Sequence, residues 1–284
     1  MRKQNITILM LLIGLFLVTS LRAQDFSQTT IRNNYSQLKK ADVENKTNRA
    51  DDDFDEQIKS IVKLFSSLVG SGYVNTASLH NVAGFDIGIR GVITAIPDEF
   101  KDIVPSDVKR KYGVIDPLSD TETVPFPFLH ASLGLPANLE VMGKFFTISV
   151  ADKPNSNVTL LGGALKYGLL RGNAGLPAIT LLGGYQTVIV PDDYAFGNIS
   201  TFSLKGYISK GFLIATLYGG GGIDRTHLKL DIPGFPDLNK DYEVTYPSFT
   251  VGASITPFPL LKINADYNHG ELKNITVGAA ISIR

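Results

Sequence analysis

The sequence predicts an all-β fold, an antiparallel transmembrane β-barrel of about ten strands preceded by an N-terminal amphipathic helix. Three observations predict it. The chain opens with an export signal, its apolar period changes from about 3.6 to 2 near Gly84, and the connections between strands alternate long and short.

The signal comes first. Arg2 and Lys3 form a positive start, Ile6–Val18 is apolar, and Ser20-Leu21-Arg22-Ala23 offers a cleavage site before Gln24. That apolar run is shorter than the ~20 residues a membrane-spanning helix requires. The sequence has no cysteine, which excludes a lipoprotein anchor, disulfides and thiol chemistry. With 27 basic and 27 acidic residues the formal charge is zero, which argues against a nucleic-acid partner.

Residues 24–53 are polar, too poor in apolar side chains to bury a core, and are expected to be flexible. Residues 54–82 read as an amphipathic helix and linker. Phe54, Ile58, Ile61, Val62, Phe65, Leu68 and Val69 recur at spacings of three and four, so they share one helical face. Asp51, Asp52 and Asp53 suit the positive end of the helix, and Gly70-Ser71-Gly72 ends it. The helix is expected at the periplasmic end of the barrel. There it either plugs the mouth through Phe54, Ile58, Ile61, Phe65 and Leu68, docks in the periplasm, or covers the rim.

Residues 83–284 read as the barrel. Phe85, Ile87, Ile89 and Ile93 alternate with Asp86, Gly88, Arg90 and Thr94, and the last strands repeat the pattern up to Ile283. Ten strands are expected at 84–95, 126–134, 139–149, 158–170, 178–190, 199–209, 212–223, 246–256, 260–268 and 274–284, within a range of eight to twelve. If the first strand runs outward, the long connections Pro97–Pro125 and Asp224–Thr245 are extracellular, and turns such as Lys210–Gly211 are periplasmic. Polar faces that mix charge with glycine suit a crowded lumen. The lumen charge network is expected to comprise Asp86, Arg90, Glu140, Lys144, Lys166, Lys205, Lys262, Asp266 and Arg284, paired as ions. Without tryptophan, an interfacial girdle would draw on Phe126, Phe128, Tyr167, Tyr194, Phe196, Phe212 and Tyr246.

One stretch carries a resemblance. Ser71-Gly72-Tyr73-Val74-Asn75-Thr76-Ala77, then Gly84-Phe85-Asp86-Ile87, then Ile96-Pro97-Asp98-Glu99 lie within Ser67–Lys101. This stretch resembles an uncharacterised group of exported proteins of Bacteroidetes-type bacteria, described as outer-membrane proteins. The resemblance implies location in the outer membrane and a barrel fold, and no activity.

Catalytic signals are sparse. His227 stands near Asp224 and His269 near Asp266, each a candidate general base, with no nucleophile motif beside them. No phosphate loop, dinucleotide fingerprint or metal-spaced cluster appears, so no cofactor and no metal is expected. Gly219–Gly222 is read as a strand end. The expectation is therefore a non-enzymatic outer-membrane barrel, structural or passing a small hydrophobic solute. The alternatives are a surface binder acting through long extracellular loops and a small barrel enzyme. Its partners would be outer-membrane lipid, the barrel-assembly machinery and a small hydrophobic ligand.

Overall fold

The computed structural model describes residues 28–45, 50–101, 110–111, 122–149, 157–173, 175–190, 196–230 and 239–283. The signal at 1–23, Arg284 and Tyr194 lie outside these residues, as does most of the predicted connection after β1. Two helices, α1 (Gln28–Asn45) and α2 (Ala50–Gly70), precede ten strands. The strands are β1 (Phe85–Ala95), β2 (Thr123–Leu135), β3 (Leu139–Ser149), β4 (Asn157–Leu170) and β5 (Ala178–Ile189). They continue with β6 (Phe196–Phe212), β7 (Ala215–Leu230), β8 (Lys240–Phe258), β9 (Leu261–His269) and β10 (Lys273–Ile283). All neighbours pair antiparallel, and β1 closes on β10 from Phe85↔Ile283 to Thr94↔Asn274.

Every strand pairs with two neighbours, so the sheet has no edge strand, as backbone in hydrocarbon requires. Each strand turns an apolar face outward. Ile87 and Ile89 on β1, Leu129 on β2, Phe145 on β3, Leu165 on β4 and Leu181 on β5 are all exposed. Leu204, Leu217, Val251, Ile263 and Val277 continue the band around β6–β10. The band is continuous around the barrel, with Val251 63% exposed within it, and an apolar surface of that extent suits a non-aqueous surrounding.

Two strands run further than the alternation suggested. Leu228 and Leu230 on β7 and Tyr242 on β8 keep the inward phase, while Arg225, His227, Lys229, Asp241 and Glu243 face out. The β7–β8 hairpin thus projects beyond the apolar band, and its polar outer face made it read as a loop. Gly219–Gly222 lies within β7, paired on both sides, and is not a strand end. Pro125 and Phe126 belong to β2.

The polar segment expected to be flexible is largely helical. Tyr35, Leu38 and Ala41 of α1 pack on α2, and Tyr35 meets the Phe54 ring edge-on at 5.4 Å. A hydrogen bond from Tyr35 Oη to Asp51 (2.9 Å) and an ion pair from Lys39 to Asp51 (2.8 Å) tie the hairpin. A stripe of three side chains suffices because α2 supplies the rest of the core.

Termini and turns fix two ends to the barrel. Phe85, Ile283 and the turns Leu135–Leu139, Phe212–Ala215 and Phe258–Leu261 mark the turn end. The longer connections mark the loop end. Helix α2 packs against β1, β6, β7, β8 and β10, and shares one buried cluster with Val92, Val124, Leu160, Val188, Ile199, Leu228 and Tyr242, all at the loop end. The helix therefore stands at the loop end and not at the turn end, where the sequence reading puts it. The linker from Ser71 to Gly84 is long enough, at ~3.3 Å per residue, to descend the lumen from α2 to the start of β1. The chain therefore threads its own barrel.

Candidate functional site

The candidate site is the lumen and the N-terminal segment that fills it. In α2, Phe54, Ile58, Ile61 and Leu68 are buried and Phe65 partly so, which brings all five predicted plug residues into the barrel mouth. From Ser66 to Gly70 every residue is buried, so this end of the helix is enclosed on all sides. Ser66 touches Thr226 and accepts a hydrogen bond from Tyr246 Oη at 2.6 Å. Asp55 accepts from Lys240 Nζ (2.9 Å) and Tyr242 Oη (2.8 Å), and Lys63 pairs with Glu271.

A helix ends with carbonyls that have no intrahelical donor, and α2 has no basic residue in its last turn. The barrel supplies the cations. Lys144 Nζ donates to Val69 O at 3.0 Å and to Ser71 O, Lys205 Nζ to Gly70 O at 3.0 Å, and Arg90 Nη1 to Gly72 O at 2.6 Å. Lys144 also stands 3.6 Å from the Tyr73 ring centroid and 4.8 Å from that of Phe128. Gly72 (φ +74°) turns the chain where a side chain would be strained and would strike Phe128. Gly162 leaves room for Tyr73, since a Cβ there would lie 2.7 Å from the Tyr73 hydroxyl.

Below, polar groups continue the attachment. Asn75 donates to Asp86 (2.9 Å) and accepts from Lys262 (2.7 Å). Lys166 reaches Thr76 O and Ser78 O at 3.4 Å and pairs with Glu140 at 2.9 Å. Asp266 accepts from Tyr218 (2.8 Å) and Asn268 (2.6 Å).

Eight of the nine predicted network residues are therefore buried in the lumen, and Arg284 lies outside the described residues. Their partners differ from the expectation. Lys205–Asp224 (2.8 Å) and Lys166–Glu140 are ion pairs, but Lys144 and Arg90 serve backbone carbonyls. The buried cations Arg90, Lys144, Lys166, Lys205 and Lys262 outnumber the buried anions Asp86, Glu140, Asp224 and Asp266. The negative end of α2 takes up the difference.

Sequence reasoning missed Asp224 and His80. Asp224 had been placed in a loop, although its inward phase continues from Gly222 through Thr226. His80 Nδ1 lies 3.1 Å from Glu140, and its Nε2 lies 3.3 Å from Ser282 Oγ. This carboxylate–histidine–serine chain has the connectivity of a hydrolase triad. Glu140 is already paired with Lys166, however, and the Ser282 amide is bonded to Leu260 O at 2.7 Å, so it is not free to stabilise an oxyanion. The chain instead fastens the linker to β3 and β10.

The surface histidines do not form the suggested dyads. His227 and His269 face outward while Asp224 and Asp266 face the lumen; His227 Nε2 lies 3.9 Å from Asp241 instead. Among the girdle candidates, Tyr167 and Phe212 are exposed, but Phe128 and Tyr246 point inward because they share the phase of His130 and Ser248. Phe126 also faces in. The Phe196 side chain lies outside the described residues. Among the described residues no metal-binding cluster of His, Asp and Glu forms.

Residues 109–283 match DUF6588, a family of unknown function. The chain belongs to this family. The match spans β2–β10 of this DUF6588 chain and begins beyond the Ser67–Lys101 stretch on which the resemblance was read. No curated protein matches.

Among solved structures, the chain is similar to the N-terminal β-barrel domain of Pseudomonas aeruginosa OprF, at 9% identity and TM-score 0.32 over 72% of this chain and 98% of that one. It is similar also to the outer membrane protease OmpT of Escherichia coli, at 10% identity and TM-score 0.37 over 70% and 97%. A third is the Ralstonia pickettii toluene transporter TbuX, at 9% identity and TM-score 0.28 over 77% and 96%.

Proposed function

We propose that this DUF6588 chain is a non-enzymatic outer-membrane barrel, closed to ions, that takes a small uncharged apolar molecule into the loop-end half of its lumen. One observation carries the reading. The loop-end lumen is lined by Val92, Val124, Phe128, Leu160, Val188, Ile199 and Leu228, with Thr94, Thr201 and Thr226 among them, a mainly apolar wall where a solute channel would be polar. Helix α2 occupies that space with its own apolar face, and its outer half is tied to the wall through half-exposed contacts such as Asp55–Lys240. Outward apolar residues on all ten strands support the outer membrane as location, with the loop end extracellular. A Bacteroidetes-type origin rests on the Ser67–Lys101 resemblance alone.

The test is equilibrium binding of an uncharged naphthylamine fluorophore to the full chain in phosphatidylcholine vesicles. Saturable binding that weakens in Leu160→Arg is expected. Absence of saturable binding contradicts the reading. A permanently sealed membrane anchor is the second reading, favoured by the dense bonds between Val69–His80 and the wall. It predicts no binding, and both readings predict no conductance steps in planar bilayers.

A further inference from the structure

We propose that the barrel wall holds a lateral portal between β2 and β3, at the loop-end edge of the apolar band, through which the apolar molecule passes from the membrane into the lumen. This rests on the solute reading above and adds its route.

The two strands pair only from Leu135↔Leu139 to Leu129↔Phe145. Beyond that pair, Thr123–Phe128 and Phe146–Ser149 form no ladder with each other, although both remain in strands. Thr123–Phe128 still pairs with β1, up to Ala95↔Thr123, and Phe146–Ser149 still pairs with β4, up to Ser149↔Asn157. Along this stretch the seam has no ladder, while each strand stays paired with its other neighbour.

The sequence dictates the opening. Gly134 donates its N–H to Gly84 O and accepts at its C=O from Ala83 N, so even-numbered residues of β2 direct their backbone groups to β1. The register along β1 and β2 is unbroken, so odd-numbered residues direct theirs to β3. Pro125 and Pro127 are odd, and neither has an N–H to donate. The two prolines remove the donors that would have continued the ladder.

The chemistry of the rim selects the occupant. Phe126 and Phe146, one from each strand, meet inside the opening edge-to-face at 5.1 Å and 64°. Behind them lie Val124, Phe128, Val158 and Leu160 of the apolar lumen. Ile93, Leu129 and Phe145 flank the opening on the outer surface. Lys144, 4.8 Å from the Phe128 ring, is turned to Val69 O and Ser71 O, and the rim itself is aromatic and aliphatic, so the occupant is an apolar molecule dissolved in the bilayer. The aromatic pair is the gate of this portal.

The experiment uses a diazirine-bearing hydrocarbon confined to the bilayer of vesicles that contain the full chain. Labelled residues are read by peptide mass spectrometry. Inward Phe126, Phe128 and Phe146 are expected to be labelled along with outward Leu133 and Phe202. Because the chain has no cysteine, Pro127→Cys with Thr147→Cys, the positions that would pair next in register, can be oxidised to lock the seam. Oxidation should lower lumen labelling several-fold and leave Leu133 and Phe202 unchanged, and reduction should restore it. Pro125→Thr with Pro127→Thr, which returns the missing donors, should lower it likewise. Lumen labelling that persists in both closed forms overturns the portal while leaving the solute reading to its own binding test. Lumen labelling absent in the native chain overturns the portal outright.

Discussion

The two halves of the lumen hold the same N-terminal segment by opposite means. At the loop end α2 is a helix whose Phe54, Ile58, Ile61 and Leu64 pack on aliphatic wall residues. Towards the turn end the linker is irregular, and its carbonyls are taken up by Lys144 at Ser71, Arg90 at Gly72 and Lys166 at Thr76 and Ser78, below Lys205 on the helix-terminal Gly70. Hydrophobic packing is tolerant of sliding, whereas charge-assisted hydrogen bonds fix a register. The difference teaches which part is built to move. The upper hairpin is the displaceable part, and the lower linker is its tether.

Breaking a buried ion pair should produce the largest effect. Glu140→Ala strands Lys166 and releases His80, and is expected to destabilise the barrel by about 3–5 kcal/mol. The urea midpoint of the protein in detergent measures it. Leu64→Ala removes a fully buried side chain from the upper half, at a cost of about 2–4 kcal/mol because a cavity remains. If Leu64→Ala proved the costlier, the division of labour between the halves would be wrong. Lys240→Ala severs only the half-exposed contact with Asp55 and should cost about 0–1 kcal/mol in the same titration. It should instead raise protease cleavage of the hairpin.

The smallest effect concerns α1 and pH. The hydrogen bond from Lys39 holds the Asp51 carboxyl below its ordinary 3.8, with Tyr35 adding to it. A depressed carboxylate contributes stability above its unfolded value and loses it as pH falls through the lowered one. Amide exchange in α1 should therefore quicken as pH drops below 3.8, with exchange in β1–β10 unchanged.

Much of this was legible in the sequence, for identifiable reasons. Alternation gave ten strands because every strand has an apolar outer face, and phase alone placed Asp86, Glu140 and Lys262 inside. The helix was legible in the spacing from Phe54 to Val69. Its end of the barrel was not, because periodicity carries no direction and the linker Ser71–Gly84 reaches either way. Partners for Lys144 and Arg90 were hidden too, since backbone carbonyls leave no trace in residue type. The outer ends of β7 and β8 escaped because side chains above the membrane become polar on the outward face. The open seam was present in Pro125 and Pro127, yet only the register shows that their missing donors point towards β3.

The central claim is that α2 lies inside the barrel at its loop end. Ser66→Cys with Thr226→Cys replaces two hydroxyls in contact across that interface, in a chain with no other cysteine. Mild oxidation in intact vesicles should link the two positions in most molecules, and peptide mapping should recover the joined fragments. Two free thiols that both react with a water-soluble maleimide would place α2 outside the lumen and contradict the account.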